Sequence, residues 1–358
     1  MHIVLIRFSS MGDVVLQSPF IAWIKLKLPQ TKITFVTSSE FKGLVQGHDL
    51  IDHVITHDRN SGMDDIQQLK SIANQIKLSK PDLIIDLHNT LRAKLIRFFC
   101  WNIPQIKVNK RTMLRNILIY FKIDFLNKLS SHHERIIEDF KFLFSTDYDR
   151  DELENFVTNK SQENGGSLTT IPLNFQRDIP RTIEGDYIVI SPVASFAAKR
   201  WPIENFKNLV KKILDLKELE KYKIVIIAGP KDDYCNEFNQ VENLSGRLIN
   251  LQGKTTIEQT NEVLSYAKLV VTNDTGVGHM AEALGIDVFS IFGPTSPSFG
   301  FRPHRLHSKA ITAAVSCSPC SATGSKACSQ KVHSCMLEIT VDQILENIQA
   351  YFAKEALC

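Results

Sequence analysis

VVTNDTGVGHMAEALGIDVFSIFGPTSP, Val270–Pro297, alternates two apolar strands with one helix. The first strand, Lys268–Thr272, stops abruptly at Asn273-Asp274-Thr275-Gly276, and a helix begins at once. Small, polar and glycine residues at such a turn leave backbone N–H groups unobstructed. The helix N-terminus adds partial positive charge, so the turn suits a phosphate. A second strand, Val288–Phe292, ends at Gly293-Pro294. This is half of a doubly wound parallel sheet with its ligand end exposed. Many α/β proteins own one such turn, so the reading depends on a partner elsewhere.

That partner is the N-terminus, HIVLIRFSSMGDVVLQSPFIAWIKLKLP. His2–Phe8 reads as a buried strand, Ser9–Gly12 as a tight turn and Asp13–Leu28 as one amphipathic helix stopped by Pro29. No basic start precedes a long apolar core, so the stretch does not read as a signal peptide. The G-x-G-x-x-G fingerprint is absent, which removes the main support for a nicotinamide cofactor. What remains is a carboxylate, Asp13, at the carboxyl end of the first strand, where open α/β sheets place chemistry.

Between these ends the alternation continues. Apolar strands at Ile33–Thr37 and Leu83–Leu87 interleave with helical patterns at Asp65–Leu78, Thr90–Trp101 and about Ser131–Phe144. The pattern dissolves between Asn155 and Asp186, a Gly-, Pro-, Thr- and Asn-rich stretch that reads as a linker. It restarts with strands at Tyr187–Ser191 and Lys223–Ala228 and helices near Ile203–Leu216 and Ile257–Tyr266. At 358 residues two domains are expected. We place the first at 1–160, the linker at 161–185, the second at 186–340 and a last helix within 341–358. Strands alternating with helices imply a parallel sheet in each half.

Composition excludes several classes. The chain is 43% hydrophobic and 23% charged, with a net charge of +3, too mild for a nucleic-acid binder. No stretch reaches the ~20 apolar residues of a membrane span. Seven cysteines without a secretory signal point to a reducing cytoplasm. One segment departs from the mild total. His88–Ile123 holds eight basic residues, from Arg92 to Lys122, and no acidic one. Charge alone favours a solvated basic face; the interleaved Phe98, Phe99, Trp101, Ile117, Leu118 and Tyr120 make contact with acidic lipid headgroups the alternative.

A third informative segment is SPVASFAAKRWPIENF, Ser191–Phe206. Its small residues let a ligand lie close to the backbone, and Lys199-Arg200 would neutralise a diphosphate without a metal. A surface Lys-Arg pair beside a packed Trp is an equal reading on this segment alone.

SSMGDVV, DLHNTLR (Asp86–Arg92), AKRWPIENF and TNDTGVGHMAEALG with FGPTSP occur here in one order. Together, across essentially the whole chain, they resemble the heptosyltransferase family of lipopolysaccharide synthesis. The resemblance implies a GT-B fold, two Rossmann-like α/β domains facing a central cleft, with the acceptor on the first and the nucleotide sugar on the second. It also implies that the last helix returns to pack on the first domain. Asp13 falls on the family's acidic position after Met-Gly, which implies a general base for the attacking hydroxyl. On the residues alone, Asp13 would instead cap the first helical turn. Gly12, His88 and Arg92 are implied at the acceptor.

Lys199 matches the lysine that holds the donor diphosphate as charge grows on the departing ADP. Ser195 stands where a small hydroxyl residue lies near the phosphates. Asp274, Thr275, Gly276 and His279 match the D-[ST]-G-x-x-H box; Thr275 and Gly276 would donate to the phosphates. Asp274 would meet heptose hydroxyls or fix the turn. Gly229, ending a strand at IAGPKDD, is placed near the adenosine, with Asp232 or Asp233 at the ribose. The chain departs from the family at Val193, often glycine, and at His88, glutamine in many members. Gly278 and Glu282 also depart, without an obvious chemical consequence.

Cys317, Cys320, Cys328 and Cys335 are spaced C-x2-C-x7-C-x6-C. A structural zinc site and four free thiols are equal readings; disulfides fit the expected compartment less well. Asp147, Asp149 and Asp151 imitate a calcium loop, but Glu152 and Thr158 occupy its glycine and glutamate positions. The expected function is therefore inverting transfer of heptose from ADP-heptose to the anionic lipopolysaccharide inner core. Catalysis would need no metal or cofactor, and the enzyme would sit peripherally at the cytoplasmic membrane face. Rival readings are another nucleotide sugar on the same fold, an epimerase, or a non-catalytic lipid- or zinc-binding module.

Overall fold

Five parallel strands form the first sheet of the computed structural model, which describes the chain except residues 47, 59–63, 127–130, 145–148, 150, 154–180, 242–245 and 356–358. Those strands are β1 (His2–Ile6), β2 (Lys32–Ser38), β3 (His53–His57), β4 (Leu83–Asp86) and β5 (Gln105–Lys107). Their spatial order is β3-β2-β1-β4-β5, so the chain winds outward in both directions from β1 and β4. Every residue of β1 is buried, as expected of a central parallel strand covered on both faces. Helices α1 (Met11–Val15), α2 (Ser18–Lys27), α3 (Asp65–Leu78) and α4 (Leu91–Phe99) connect the strands. Leu69, Ile72 and Ile76 of α3 and Ala93 and Ile96 of α4 pack on Val4, Ile6, Val36 and Ile84.

The single helix expected over Asp13–Leu28 is two. Pro19 has no N–H to donate, so the helix cannot run through it. The chain turns at Leu16-Gln17, and α2 starts at Ser18 with Pro in its first positions, a place that suits proline.

The second sheet has six parallel strands: β6 (Tyr187–Ser191), β7 (Lys223–Ile226), β8 (Leu248–Asn250), β9 (Leu269–Asn273), β10 (Val288–Phe292) and β11 (Lys309–Thr312). Their order is β11-β10-β9-β6-β7-β8, which reverses direction between β6 and β9. In chain order the remaining helices are α5 (Thr112–Phe121), α6 (His132–Phe140), α7 (Ile203–Asp215), α8 (Ile257–Ser265), α9 (Gly276–Ala283), α10 (Ser334–Leu337) and α11 (Val341–Glu355). Gly278 lets α9 lie close on the sheet: a Cβ there would meet Thr272 Cγ2 at 3.2 Å.

By its contacts the chain divides into two units, Met1–Lys110 with His132–Asp178 and Arg111–Ser131 with Ile179–Cys358. Two differences from the expected boundaries follow. The stretch 111–131, read as part of domain 1–160, belongs to the second unit. There Leu118, Ile119 and Leu126 share a small core with Phe299, and Arg115 lies 5.7 Å from the Phe299 ring. The last helix, expected on the first domain, lies in the second unit's own core. Ile344, Ile348 and Phe352 of α11 are buried with Phe206, Leu209 and Ile213 of α7. Burying three such side chains contributes roughly 5 kcal/mol or more, which is why this face goes to the nearest apolar groove. Of the linker placed at 161–185, all but residues 181–185 lie outside the described residues.

Candidate active site

The first unit gathers its polar side chains where its winding reverses. Arg7 follows directly on β1, and His88 lies two residues beyond β4. Arg7 donates through Nη1 to the Leu87 carbonyl at 2.5 Å, which ties the ends of the two strands together. Its Nη2 sits 2.7 Å from Asp13 Oδ2. The same oxygen accepts from the Ser10 backbone N–H at 3.1 Å and from its hydroxyl at 2.9 Å. Asp13 therefore does cap the first turn, and its side chain stays 22% exposed at the strand end. Burial alone would raise its pKa. Arg7, His132 and the Ser10 hydrogen bonds overcome that and hold the carboxyl far below the usual range.

His88 is the neutral partner in this corner. Burial, then the charge of Arg7, lowers its pKa to about 4. Its Nδ1 accepts the Phe8 N–H at 3.3 Å, so the proton of the neutral ring is on Nε2. Asp86, fully buried, shapes the turn by accepting from the N–H groups of His88 at 3.0 Å and Asn89 at 2.6 Å. Gly12 is buried within α1, beside Asp13. Arg92 does not join the group: it reaches Asp65 at 3.1 Å, and Asp65 also binds His57 Nε2 at 2.7 Å.

The second unit repeats the arrangement at its own reversal point, between β6 and β9. Asn273 ends β9, and its amide donates to the carbonyls of Pro192 at 2.8 Å and Val193 at 3.1 Å. Its Oδ1 accepts the Trp201 N–H at 3.0 Å. This one side chain thus fixes the loop after β6 against the turn after β9. Lys199, on that loop, meets Asp274 Oδ2 at 2.7 Å, and Thr295 donates to the same oxygen at 2.8 Å. Thr275 is the N-cap of α9, but its side chain makes no cap hydrogen bond. Its hydroxyl instead pairs with Thr272 at 3.2 Å. The first turn, starting at Gly276, thus lacks the usual side-chain acceptor beside a lysine.

His279 lies about one turn inside α9, its ring 6.1 Å from Phe301. Ser195 is exposed on the same loop as Lys199. Gly229 follows β7, and its N–H already donates to Asp232 at 3.1 Å. Arg200 turns away to the Ala194 carbonyl at 3.0 Å and the Tyr234 ring at 4.6 Å. The packed-Trp reading also holds, since Trp201 is buried and donates to the Ile339 carbonyl at 2.8 Å. Glu282, which carried no chemical reading, ties down the loop after β10. It accepts from the N–H groups of His304 at 2.7 Å and Arg305 at 3.1 Å. The four cysteines, all free, line one small cavity beside this site.

The chain with these two parallel sheets matches a known family. Residues 69–331 match the model of glycosyltransferase family 9, the heptosyltransferases. The chain belongs to that family. Lipopolysaccharide heptosyltransferase 2 of Salmonella typhimurium is 24% identical over the full length of both chains. The Escherichia coli K12 protein of the same name is 23% identical over 99% of each. Among solved structures, E. coli ADP-heptose lipopolysaccharide heptosyltransferase II superposes with a TM-score of 0.71 at 22% identity. It covers 99% of this chain and 100% of that one. E. coli heptosyltransferase WaaC with ADP gives 0.68 at 18%, covering both chains completely. The fold is that of the GT-B glycosyltransferases, and this family 9 member is an enzyme of that class.

Sequence reasoning missed Arg7, Asn273 and Thr295. Arg7 left a signal, a lone cation at the end of an apolar strand. The other two are identifiable only by their long-range partners.

Proposed function

We propose that this family 9 enzyme transfers heptose, with inversion, from ADP-heptose to the inner core of lipopolysaccharide. The observation that carries the reading is the Lys199–Asp274 pair at the second reversal point, beside a helix start without a side-chain cap. A cation already matched by a carboxylate can exchange that partner for a diphosphate at little cost in buried charge. Thr275 and Gly276 then offer N–H groups to the same phosphates. As the anomeric bond breaks, charge grows on the leaving ADP, and Lys199 stabilises it.

Asp13 is the base in this reading. A carboxylate held so low by Arg7 is a weak base for a free alcohol. It takes the proton as the new glycosidic bond forms, when the hydroxyl has become acidic. Neutral His88 supplies one N–H to orient the acceptor. The relatives named above are lipopolysaccharide heptosyltransferases, which supports a lipopolysaccharide acceptor; in this reading the enzyme meets it at the cytoplasmic membrane face. Among the described residues no helix is long and apolar enough to cross a membrane. Peripheral contact is supported by exposed Phe98 and Trp101 in the first unit and Met113, Tyr120 and Phe121 in the second.

Calorimetric titration with ADP, UDP and GDP, without added metal, tests the donor. ADP is expected to bind selectively, and Lys199→Ala to weaken it by about tenfold or more. Preference for UDP or GDP would overturn the donor. Unchanged ADP affinity in the variant would remove Lys199 from the phosphates.

A further inference from the structure

Residues 313–333, between β11 and α10, form a loop of 21 residues without regular secondary structure. Loops this long rarely hold one conformation in a compact unit without internal ties. This one is tied at its base. The N–H groups of Cys320 and Ser321 both donate to the Pro294 carbonyl at 3.0 Å, and Ser318 Oγ donates to the Gly293 carbonyl at 2.6 Å. Lys122 adds bonds to the carbonyls of Cys317 at 2.9 Å and Pro319 at 2.6 Å. Its far end has no comparable backbone tie to the sheet among the described residues, yet it carries Cys328 and leads to Cys335.

Cys317, Cys320, Cys328 and Cys335 all line one cavity of about 10 Å³, the scale of a single water-sized occupant. His333 lines it too, as does Ala198, the residue before Lys199. The thiols do not converge: among the described residues no three His, Cys, Asp or Glu side chains are gathered for a metal. Cys328 Sγ is turned to the Val332 carbonyl at 3.3 Å. Four thiols lining one small cavity nevertheless supply the soft donor types of a closed structural site.

The same loop reaches the donor site. Gly324, at φ +83°, lies under the Lys199 side chain, and a Cβ there would stand 2.4 Å from Lys199 Cγ and 2.5 Å from Cδ. Its N–H is fixed by Ser321 Oγ at 2.9 Å. Lys199 therefore crosses the loop backbone on its way to Asp274.

We infer that the four cysteines bind one thiophilic metal ion, zinc in chemical class, which braces this loop so that Gly324 positions Lys199. Binding takes Cys328 off the Val332 carbonyl and releases the thiol protons on coordination. The metal takes no part in the transfer, and the positioning half rests on Lys199 as a diphosphate ligand.

Elemental analysis of the purified full-length protein should find one equivalent of zinc. A mercurial that titrates thiols should release it, and Cys317→Ser/Cys320→Ser should lack it. Metal-free protein with four freely titrating thiols, or with a disulfide among them, would overturn the site whether or not the variant folds. ADP affinity should fall about tenfold in the metal-stripped protein, the scale of one charge-assisted hydrogen bond. Gly324→Ala should weaken ADP similarly while keeping its metal. Full metal loading with unchanged ADP affinity in Gly324→Ala would overturn the positioning role. Failure of Lys199→Ala to affect ADP would instead refute the donor reading and leave the metal result standing.

Discussion

Asp13 and Arg7 set the pH behaviour of the first unit. With its pKa held far below the ordinary value, Asp13 is ionised throughout the physiological range. Its pairing stabilises the fold above the unfolded carboxyl value and is lost only as pH falls through the lower folded one. The wild-type kcat/KM should therefore stay flat on this group's account from pH 7 down to about 5. Arg7→Gln removes the opposing charge and leaves burial to act, so an acidic limb should move up by about one to three pH units. Superimposable pH profiles would detach Arg7 from the base. Asp13→Asn keeps the shape and the Ser10 contacts, and is expected to cost about 10²–10⁴ in kcat while sparing ADP affinity. Near-normal turnover would leave Asp13 as a helix cap and nothing more. Of this corner the sequence showed the carboxylate and the histidine. It did not show that an arginine six residues earlier controls the first and, through charge, the second.

Helix α9 illustrates how an element can carry both a ligand end and a stability switch. Its N-terminal turn follows directly on the Lys199–Asp274 pair, while Glu282 near its C-terminus is buried and bonded to the His304 and Arg305 N–H groups. Burial, opposed by those bonds, raises the Glu282 pKa from 4.5 to about 7. A folded pKa above the unfolded one means stability that is complete below pH 4.5 and declines as pH rises through about 7. Glu282→Gln keeps an acceptor oxygen and removes the charge. The variant should match wild type in unfolding free energy near pH 4.5 and exceed it above pH 7 by an amount on the order of 3 kcal/mol, with a correspondingly higher Tm only at the higher pH. A Tm difference that does not change with pH would refute this. Elements with long apolar runs, such as β6 and β10, were legible to the residue. Strands β3, β5, β8 and β11 were not, because they are short, half-exposed or at sheet edges, where alternation replaces a continuous apolar run. The break at Pro19 was legible in principle, since a proline inside a helical period announces it.

At the scale of the molecule, the sequence reported two sheets correctly, but it placed the stretch 111–131 and the last helix with the first domain, whereas both belong to the second unit. Nothing in the local pattern of α5 or α11 says which core its apolar face will fill; only tertiary partners decide. The grouping of 111–131 with the second unit bears on membrane contact, because it divides the basic run between units. Phe98 and Trp101 go to the first, Met113, Tyr120 and Phe121 to the second. Flotation with anionic vesicles should capture the protein at low salt and release it as salt rises, and neutral vesicles should capture less. Trp101→Ser and Tyr120→Ser should each lower capture, while absence of any binding to anionic vesicles would refute peripheral contact.

The allocation of 111–131 has one more consequence. The polypeptide passes from one unit to the other three times, after Lys110, Ser131 and Asp178. A cut within 161–185 would therefore not yield two autonomous fragments. The amino-terminal piece would carry α5 with its apolar face stripped of partners, and the carboxy-terminal piece would lack the helix that covers Phe299. Chimaeras with related enzymes should exchange the insert 111–131 together with the carboxy-terminal segment, treating the gene as a splice of interleaved parts and not as two consecutive cassettes.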